Sequence, residues 1–320
     1  MSHKHMIWCD ARTLSKNITG KVYIVTGANS GVGLETTRQL IKQGGHVVMA
    51  CRRIEAAQKE AKSFIHLEGS YEIMKCDLAN LESVREFALS FLQKYNRLDG
   101  LMCNAGMVVM DNKQKFTDDG FELTFGVNFL GHFFLTELLL ECLKQTEGAR
   151  MGILSSVVHA GSTKNRYKVH LDDLNFERRK YSNFAAYGEA KVASVLYAKE
   201  LSERLQNYDV FTASIHPGWA RSNFGSGGNF FMRALMTIAK PFTRGISNSN
   251  WESAQTSLHV LLSDNAIHHS GDYFSQHSVL YSDKECKKGG WPMKSPNPNA
   301  NDMVEAWKLV EKSYELVGLK

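Results

Sequence analysis

The stretch KVYIVTGANSGVG, residues 21–33, decides the fold. It begins with apolar and β-branched residues, which are typical of a buried strand, and its glycines at 27, 31 and 33 lead into a segment with helical periodicity. Such a turn lets backbone N–H groups and the helix dipole hold a pyrophosphate. The alternative is that the glycines serve the turn alone. We predict a dinucleotide-binding loop that contains Gly27, Asn29, Ser30, Gly31, Val32 and Gly33.

The alternation of strand and helix continues along the chain. Strands separated by helices predict βαβ units, and therefore a parallel sheet with helices on both faces. No linker, repeat or low-complexity segment divides the sequence. We expect one α/β domain over residues 1–320, a Rossmann-like doubly wound sheet with its core at about 20–282. The further strand candidates are HVVMACR (46–52), YEIMKCD (71–77), LDGLMCNAG (98–106), MGILSSV (151–157) and VFTASIHPG (210–218).

The composition is that of an ordinary globular protein. Of the 320 residues, 43% are hydrophobic and 22% are charged, and the formal net charge is +5. Basic and acidic residues are interspersed, so we expect no nucleic-acid partner. The six cysteines form no CxxC pair, which predicts a reducing compartment and no metal site. Residues 1–21 lack the apolar run of a signal peptide or membrane span, so we expect an intracellular chain, cytoplasmic or peripheral to a membrane.

The end of the second strand, MACRR at residues 49–53, bears on the choice of dinucleotide. An NAD site of this kind usually places an acidic residue here, which accepts hydrogen bonds from the ribose hydroxyls. Cys51 stands at that position, and Arg52 and Arg53 follow it. Because guanidinium groups favour a 2′-phosphate, we expect NADPH or NADP+ rather than NAD(H). The alternative is that the arginines only solvate the end of the strand.

The segment AAYGEAKVA, residues 185–193, places Tyr187 one helical turn before Lys191. A tyrosine with its usual pKa of about 10 is a weak base at neutral pH unless its phenolate is stabilised. We expect the Lys191 ammonium to lower the pKa of Tyr187, and Gly188 adds no bulk between them. Taken alone, the two residues could equally be a solvated pair on a helix surface.

Seven short motifs, in order between residues 21 and 281, resemble those of the short-chain dehydrogenase/reductase superfamily. The longer segments VNFLGHF and TDDGFELTFGVN are most similar to the branch of the retinol dehydrogenases, the WW-domain-containing oxidoreductase and the X-linked dehydrogenase/reductase. The resemblance implies an oxidoreductase for long apolar alcohols, aldehydes or ketones such as retinoids, steroids and polyprenols. The motifs are TGANSGVG (26–33), CDL (76–78), CNAG (103–106), VNFLGHF (127–133), SSVVH (155–159), YGEAK (187–191) and HPGWARS (216–222).

The resemblance also implies roles for individual residues. Ser156 would position the substrate oxygen, Tyr187 would be the acid and base, and Lys191 would hold the nicotinamide ribose. Asn128 would hold a water that resupplies Lys191 with protons. The other implied cofactor contacts are Asp77, Leu78, Asn104, Ala105, Gly106, Pro217, Gly218 and Ser222.

Three departures from the family pattern stand out. The usual NNAG is CNAG here, Ser222 replaces the usual threonine, and thirty-one positions separate Ser156 from Tyr187, more than in compact members. The spacing bears on which serine is used, because Ser155 is adjacent. Successive strand residues point to opposite faces, so only one of the two serines can reach the site. We prefer Ser156, which aligns with the second serine of the family motif.

The leading hypothesis is an NADPH-dependent oxidoreductase that transfers a hydride between the nicotinamide and a lipophilic carbonyl or alcohol. The alternative is a catalytically silent NADP(H)-binding sensor or scaffold protein, which has no chemical reason to retain Ser156, Tyr187 and Lys191 together. A third option is the light-driven reduction of a porphyrin, which would require illumination.

Residues 223–250 are predicted to form a lid over the substrate. Their segment NFFMRALMTIAKPF, residues 229–242, is apolar with interspersed cations, and such a helix could instead contact a membrane interface or pack on the domain.

Residues 283–320 are predicted to form a C-terminal loop and helix. The stretch WPMKSPNPN, residues 291–299, is typical of an irregular surface loop. After it, an apolar face recurs at Met303, Trp307, Val310, Tyr314 and Val317 and predicts a helix that packs on its own domain, closes over the site or contacts another subunit. A homodimer through parts of residues 117–144 and 187–205 is expected from the resemblance, unless the C-terminal appendage blocks it.

Overall fold

Eight strands form one sheet in the order β3-β2-β1-β4-β5-β6-β7-β8, in a computed structural model that describes residues 6–111, 113–162, 164–220 and 247–319. Every neighbouring pair is parallel except β7 with β8. The strands are β1 (Val22–Thr26), β2 (His46–Cys51), β3 (Ser70–Lys75), β4 (Gly100–Cys103), β5 (Ala149–Leu154), β6 (Val210–His216), β7 (Tyr273–Ser275) and β8 (Gly290–Met293). The predicted doubly wound α/β fold is confirmed.

Helices cover both faces of this sheet. Alternate residues of β1 enter different cores: Val22 and Ile24 pack with α4, α6, α7 and α10, whereas Tyr23 and Val25 pack with α2, α3 and α8. Burial on both faces explains why the segments VYIVT and HVVMAC in the interior of the sheet are largely apolar rather than alternating. The helices are α1 (Ala11–Ser15), α2 (Gly31–Lys42), α3 (Ile54–Ala61), α4 (Leu81–Lys94), α5 (Leu123–Phe125), α6 (Gly131–Gln145), α7 (Asn183–Arg204), α8 (Asn250–Leu262), α9 (Lys284–Lys288) and α10 (Met303–Leu316).

The carboxyl ends of six parallel strands carry the predicted site residues. The glycine loop follows β1, Arg52 follows β2, Asp77 follows β3 and Asn104 follows β4. Ser156 follows β5, and the Pro217–Gly218 pair follows β6. Because parallel strands end at one edge, the topology brings these residues to a single crevice.

One continuous helical stretch, Leu123–Gln145, is long and apolar enough to cross a membrane by length and composition. It comprises α5, a π-helical turn over Gly126–Leu130, and α6. Of its most apolar window, 78% is buried inside the protein. Leu130, Phe133 and Phe134 belong to one of the two cores, so packing on the sheet accounts for its apolar character.

The interpretation of residues 291–299 as an irregular surface loop is wrong in part. Trp291 to Met293 lie in β8, which pairs antiparallel with β7 at the edge of the sheet. Ser295 and Asn297 are buried and hydrogen bonded. Prolines at the edge of a sheet remove no hydrogen bond of a central ladder, which reconciles this composition with a strand.

The terminal helix α10 packs on α7. Most of the predicted contact face is confirmed, because Val310 and Val317 are buried and Met303 and Tyr314 pack partly buried against the same core. Trp307 is the exception and is 53% exposed, whereas Ala306, Leu309 and Ser313 complete the buried face. The small side chains of Ala306 and Ser313 let α10 and α7 approach closely.

Candidate active site

The glycine loop connects β1 to α2. Gly27 and Gly31 have φ values of +64° and +59°, a region that side chains rarely tolerate. A Cβ on Gly33 would lie 2.4 Å from Asn104 Nδ2, so this glycine permits close packing of helix and loop. Ser30 is the N-cap residue of α2, and its side chain makes no capping hydrogen bond. Asn29 lies in the turn and Val32 is buried in the first turn of α2.

The end of β2 lies against this loop. Gly27 N–H donates to Ala50 O at 2.9 Å. Burial raises the pKa of the Cys51 thiol to about 11, while hydrogen bonds from the backbone N–H groups of Ala28 and Asn29 oppose the shift. Arg52 and Arg53 are exposed beside it, and among the described residues neither guanidinium forms an ion pair. Two uncompensated cations therefore border the loop.

Asp77 and Leu78 follow β3. Ala79 N–H donates to Asp77 Oδ1 at 3.1 Å, and Asp77 N–H donates to Ser83 Oγ at 3.1 Å, so a tight turn precedes α4. Leu78 is buried, and a Cβ on Gly131 would lie 2.5 Å from Leu78 O. Gly131 thus allows α6 to approach the backbone that the resemblance assigns to the adenine.

The CNAG motif is held to the end of β1 by Thr26, a residue that the sequence analysis did not select. Its Oγ1 accepts hydrogen bonds from the N–H groups of Asn104 and Ala105, both at 2.9 Å. Asn104 Nδ2 donates to Thr26 O at 2.8 Å, whereas Asn104 Oδ1 is buried without a partner in the described part of the chain. Gly106 follows at the partly buried end of the motif. Thr26 is the last residue of β1 and stands just before the glycine turn. A hydroxyl at that position is the sequence signal that could have identified its role.

Ser156 and Tyr187 are joined by a hydrogen bond between their side chains. Lys191 lies on the same face of α7 as Tyr187, with its Nζ 5.6 Å from the tyrosine ring centroid, and it donates to Leu154 O at 2.7 Å. Ser155 is directed elsewhere, because its Oγ donates to Lys191 O at 2.8 Å. The geometry therefore favours Ser156 over its neighbour.

Burial controls the proton affinities of these two groups. It raises the pKa of Tyr187 to about 12, and the hydrogen bond from Ser156 opposes this rise. It lowers the pKa of Lys191 to about 7. The expectation that the pKa of Tyr187 would be lowered is therefore wrong for this structure, because removal from water is the largest cause of its shift and raises it.

Asn128 lies in the π-helical turn before α6. Its Nδ2 donates to Met107 O and Thr124 O, both at 2.8 Å, and its Oδ1 accepts from Met107 N–H at 3.2 Å. The side chain thus fixes the loop after β4 against the turn. The sequence assigned it to a proton relay with Lys191, and no hydrogen bond between the two side chains occurs among the described residues.

Two glycines near the site have a steric role. A Cβ on Gly188 would lie 2.5 Å from the ring of Tyr167, so the missing side chain leaves room for that ring against α7. Gly218 has a φ of +84°, and a Cβ there would lie 2.0 Å from Asn248 Nδ2. Pro217 precedes it and is buried. Ser222 and the greater part of the predicted lid, including residues 229–242, lie outside the described residues.

These residues fit a bound dinucleotide. The glycine conformations and the first turn of α2, which Ser30 does not cap, provide the backbone donors that a pyrophosphate needs. Asn104 Oδ1 is a buried acceptor in want of a donor, and Arg52 and Arg53 are cations without an anionic partner among the described residues. The arrangement can hold an anionic cofactor beside a tyrosine that is able to exchange a proton.

Comparison with known proteins agrees with this geometry. The family model for short chain dehydrogenase matches residues 21–167. Human retinol dehydrogenase 13 is 38% identical over 95% of this chain and 86% of its own, and mouse retinol dehydrogenase 12 is 36% identical over 96% and 90%. A crystal structure of a protein from Mycobacterium paratuberculosis superposes with a TM-score of 0.71, at 26% identity over 98% of both chains. The chain therefore belongs to the short-chain dehydrogenase family, in its retinol dehydrogenase branch, and is an alcohol and carbonyl oxidoreductase of the nicotinamide-dependent kind.

Proposed function

We propose that this protein is an NADPH-dependent oxidoreductase that transfers a hydride between the nicotinamide and a lipophilic carbonyl or alcohol of the retinoid, steroid or polyprenol type. The observation that carries the proposal is the buried Ser156–Tyr187 hydrogen bond with Lys191 behind the tyrosine ring. Bound NADPH would supply the hydride. The remaining steps fall to side chains of this chain.

In the reduction direction, Tyr187 donates its phenolic proton to the oxygen on which negative charge develops. Ser156 donates a hydrogen bond to that same oxygen and is already aligned with Tyr187. Donors aimed at a charge that appears only near the transition state lower the barrier selectively. The high pKa of about 12 keeps Tyr187 protonated, which suits a proton donor. Lys191, with a pKa of about 7, can resupply a proton at neutral pH and would contact the nicotinamide ribose.

The preference for NADPH rests on the end of β2. Cys51 is buried and uncharged in place of an acidic residue, and Arg52 and Arg53 are exposed beside the glycine loop. A 2′-phosphate bound there would meet guanidinium groups and no carboxylate at these three positions. Gly27, Gly31 and Gly33 would approach the pyrophosphate, and Asp77, Leu78, Asn104, Ala105, Gly106, Pro217, Gly218 and Ser222 complete the proposed cofactor contacts.

The lipophilic substrate class is supported by the names of the relatives, which are retinol dehydrogenases, and by the composition of residues 229–242. That composition equally suits a peripheral membrane contact. The packing of α10 on α7 covers part of the helix surface that a homodimer through residues 187–205 would use.

The proposal is tested by following nicotinamide absorbance with retinal, other apolar aldehydes and steroid ketones, in the dark, with NADPH and NADH in parallel. We expect turnover with NADPH, and kcat/KM at least about 10-fold lower with NADH, since charge-assisted hydrogen bonds contribute about 1.5–3 kcal/mol. A double variant R52A/R53A should lose most of that preference. Lys59→Ala, an exposed cation on the adjoining α3, is the matched control and should leave the preference unchanged.

Each contrary outcome has a distinct meaning. Equal kcat/KM with the two nucleotides would refute the NADPH assignment while leaving the enzyme in place. Tight NADPH binding without turnover on any apolar carbonyl would indicate a silent nucleotide-binding protein instead.

A further inference from the structure

The peptide bond between Ser156 and Val157 is contacted from two sides by buried histidine rings. His159 Nδ1 lies 2.5 Å from Ser156 O, and Val157 N–H donates to His216 Nδ1 at 3.2 Å. His159 belongs to the 3₁₀ turn that follows Ser156, whereas His216 is the last residue of β6. One ring therefore binds the carbonyl of this peptide, and the other binds its amide.

The two contacts require different tautomers. A carbonyl oxygen only accepts, so His159 must carry its proton on Nδ1, and its Nε2 then accepts from the Ser295 hydroxyl at 2.7 Å. A backbone N–H only donates, so His216 Nδ1 must be unprotonated and Nε2 must carry the proton. Both rings are buried, and burial lowers the pKa of His159 to about 4 and that of His216 to about 3. Both are therefore neutral at physiological pH.

We propose that His159 and His216 are positioning residues that clamp the Ser156–Val157 peptide and thereby hold the Ser156 hydroxyl against Tyr187. The proposal rests on the proposed function, in which Ser156 orients the substrate oxygen. Neither ring touches the reacting atoms. Their effect is to fix the peptide that follows Ser156, and with it the backbone from which the serine hydroxyl projects toward the tyrosine.

The surroundings of the clamp are themselves fixed. Asn297 Nδ2 donates to His159 O at 2.7 Å and to Tyr167 O at 2.8 Å, and the ring of Tyr167 occupies the space left by Gly188. The C-terminal segment thus reaches both the serine turn and the tyrosine helix. His216 Nε2 has no hydrogen-bond partner among the described residues. In this part of the chain the ring therefore makes its hydrogen bond through Nδ1, to Val157 N–H.

The first test is spectroscopic and requires no turnover. Long-range ¹H–¹⁵N spectra of histidine-labelled protein at neutral pH should show one buried ring as the Nδ1–H tautomer and another as the Nε2–H tautomer. The signals are assigned by their loss in His159→Asn and His216→Asn. Identical tautomers for the two residues, or a charged ring at neutral pH, would overturn the clamp even if the protein proves inactive on every substrate.

The second test separates positioning from folding. Asparagine can place a donor or an acceptor near the position of Nδ1, whereas leucine cannot. We expect His159→Leu and His216→Leu to lower kcat about 10- to 100-fold with KM for the dinucleotide within about 2-fold of wild type, and the asparagine variants to recover most of kcat. Leucine variants that fold and keep the wild-type kcat, or asparagine variants as impaired as leucine, would refute the proposal.

His46 offers the matched control. Its ring nitrogens also make two hydrogen bonds, to Ser70 Oγ at 2.7 Å and Tyr95 OH at 2.8 Å, but it lies at the opposite end of the strands. His46→Leu should therefore lower the melting temperature without changing kcat. A fall in kcat for this variant as large as for the clamp variants would mean that general loosening of the protein, not the clamp, accounts for the effect.

Discussion

Helix α7 carries two sequestered cations with opposite surroundings. Lys191 is 1% exposed and its ammonium bonds to Leu154 O, with no carboxylate partner in the described part of the chain. Arg204, thirteen residues further along and about 20 Å away along the helix axis, bonds to Glu137 at 2.6 Å and to Glu200 at 3.1 Å. One cation has no carboxylate to offset the cost of its desolvation, whereas the other forms ion pairs with two carboxylates.

The proton affinities follow from this difference. Burial lowers the pKa of Lys191 to about 7. Burial also lowers the pKa of Arg204, but the hydrogen bonds and charge of Glu137 outweigh it, and the net shift is upward. The same helix therefore carries a lysine that can lose its proton near neutral pH at one end, and a permanent cation at the other. Arg204 also donates to Tyr314 OH of α10 at 2.6 Å and so links the two helices.

The largest expected effect is on turnover. Lys191→Met should lower kcat by about 10²–10⁴-fold, because it removes the residue that we propose resupplies the proton and contacts the cofactor. The measurement is steady-state kcat with the best substrate of the carbonyl panel. Lys199→Met, on the same helix, is the control and should keep wild-type kcat. A Lys191→Met enzyme with full turnover would refute the proposed role of Lys191 in catalysis.

The next effect is on stability. Arg204→Met leaves Glu137 buried without its cation and should lower the free energy of unfolding by about 3 kcal/mol, measured by urea denaturation. Turnover per folded molecule should stay within about 2-fold of wild type. If Arg204→Met instead lowered kcat at unchanged stability, the inference that Arg204 serves stability rather than turnover would be wrong.

The smallest effect concerns pH. Since the folded-state pKa of Lys191 lies below its unfolded value, the unfolded chain binds the extra proton between about pH 7 and pH 10.5, and stability rises with pH through that window. Lys191→Met should therefore be more stable than wild type by about 1 kcal/mol at pH 7 and below. The difference should shrink as the pH approaches 10.5. A gain that is independent of pH would show that desolvation of the ammonium is not its origin.

Much of the fold could be predicted from the sequence, because β1 to β6 are recognisable strand segments separated by helices. The last two strands at one end of the sheet, β7 and β8, escaped prediction for a physical reason. β7 has only three residues, and β8 lies in a proline-containing stretch that local patterns assign to loops. Their identity as strands depends on pairing with each other and with β6, which no local pattern shows.

The sequence predicted those residues of the candidate site whose role belongs to a short local motif. Thr26, His159 and His216 were missed as contributors, although all three stand inside the quoted motifs TGANSGVG, SSVVH and HPGWARS. Their partners lie on other elements, so their roles emerge only from the packing. The direction of the Tyr187 pKa shift was missed for a related reason. Helical spacing shows that a lysine is near, but the degree of burial depends on the whole fold.

The contacts of Ser295 and Asn297 have a consequence for biosynthesis. A nascent chain contains Ser156, Tyr187 and Lys191 well before these two residues leave the ribosome, and domains generally begin to fold from the N-terminus during synthesis. The serine turn therefore receives its outer support only after residues 295 to 297 have been synthesised. A chain cut short before residue 295 would hold every reactive group and still lack the brace that aligns them. Full redox activity would thus indicate that synthesis had passed residue 297.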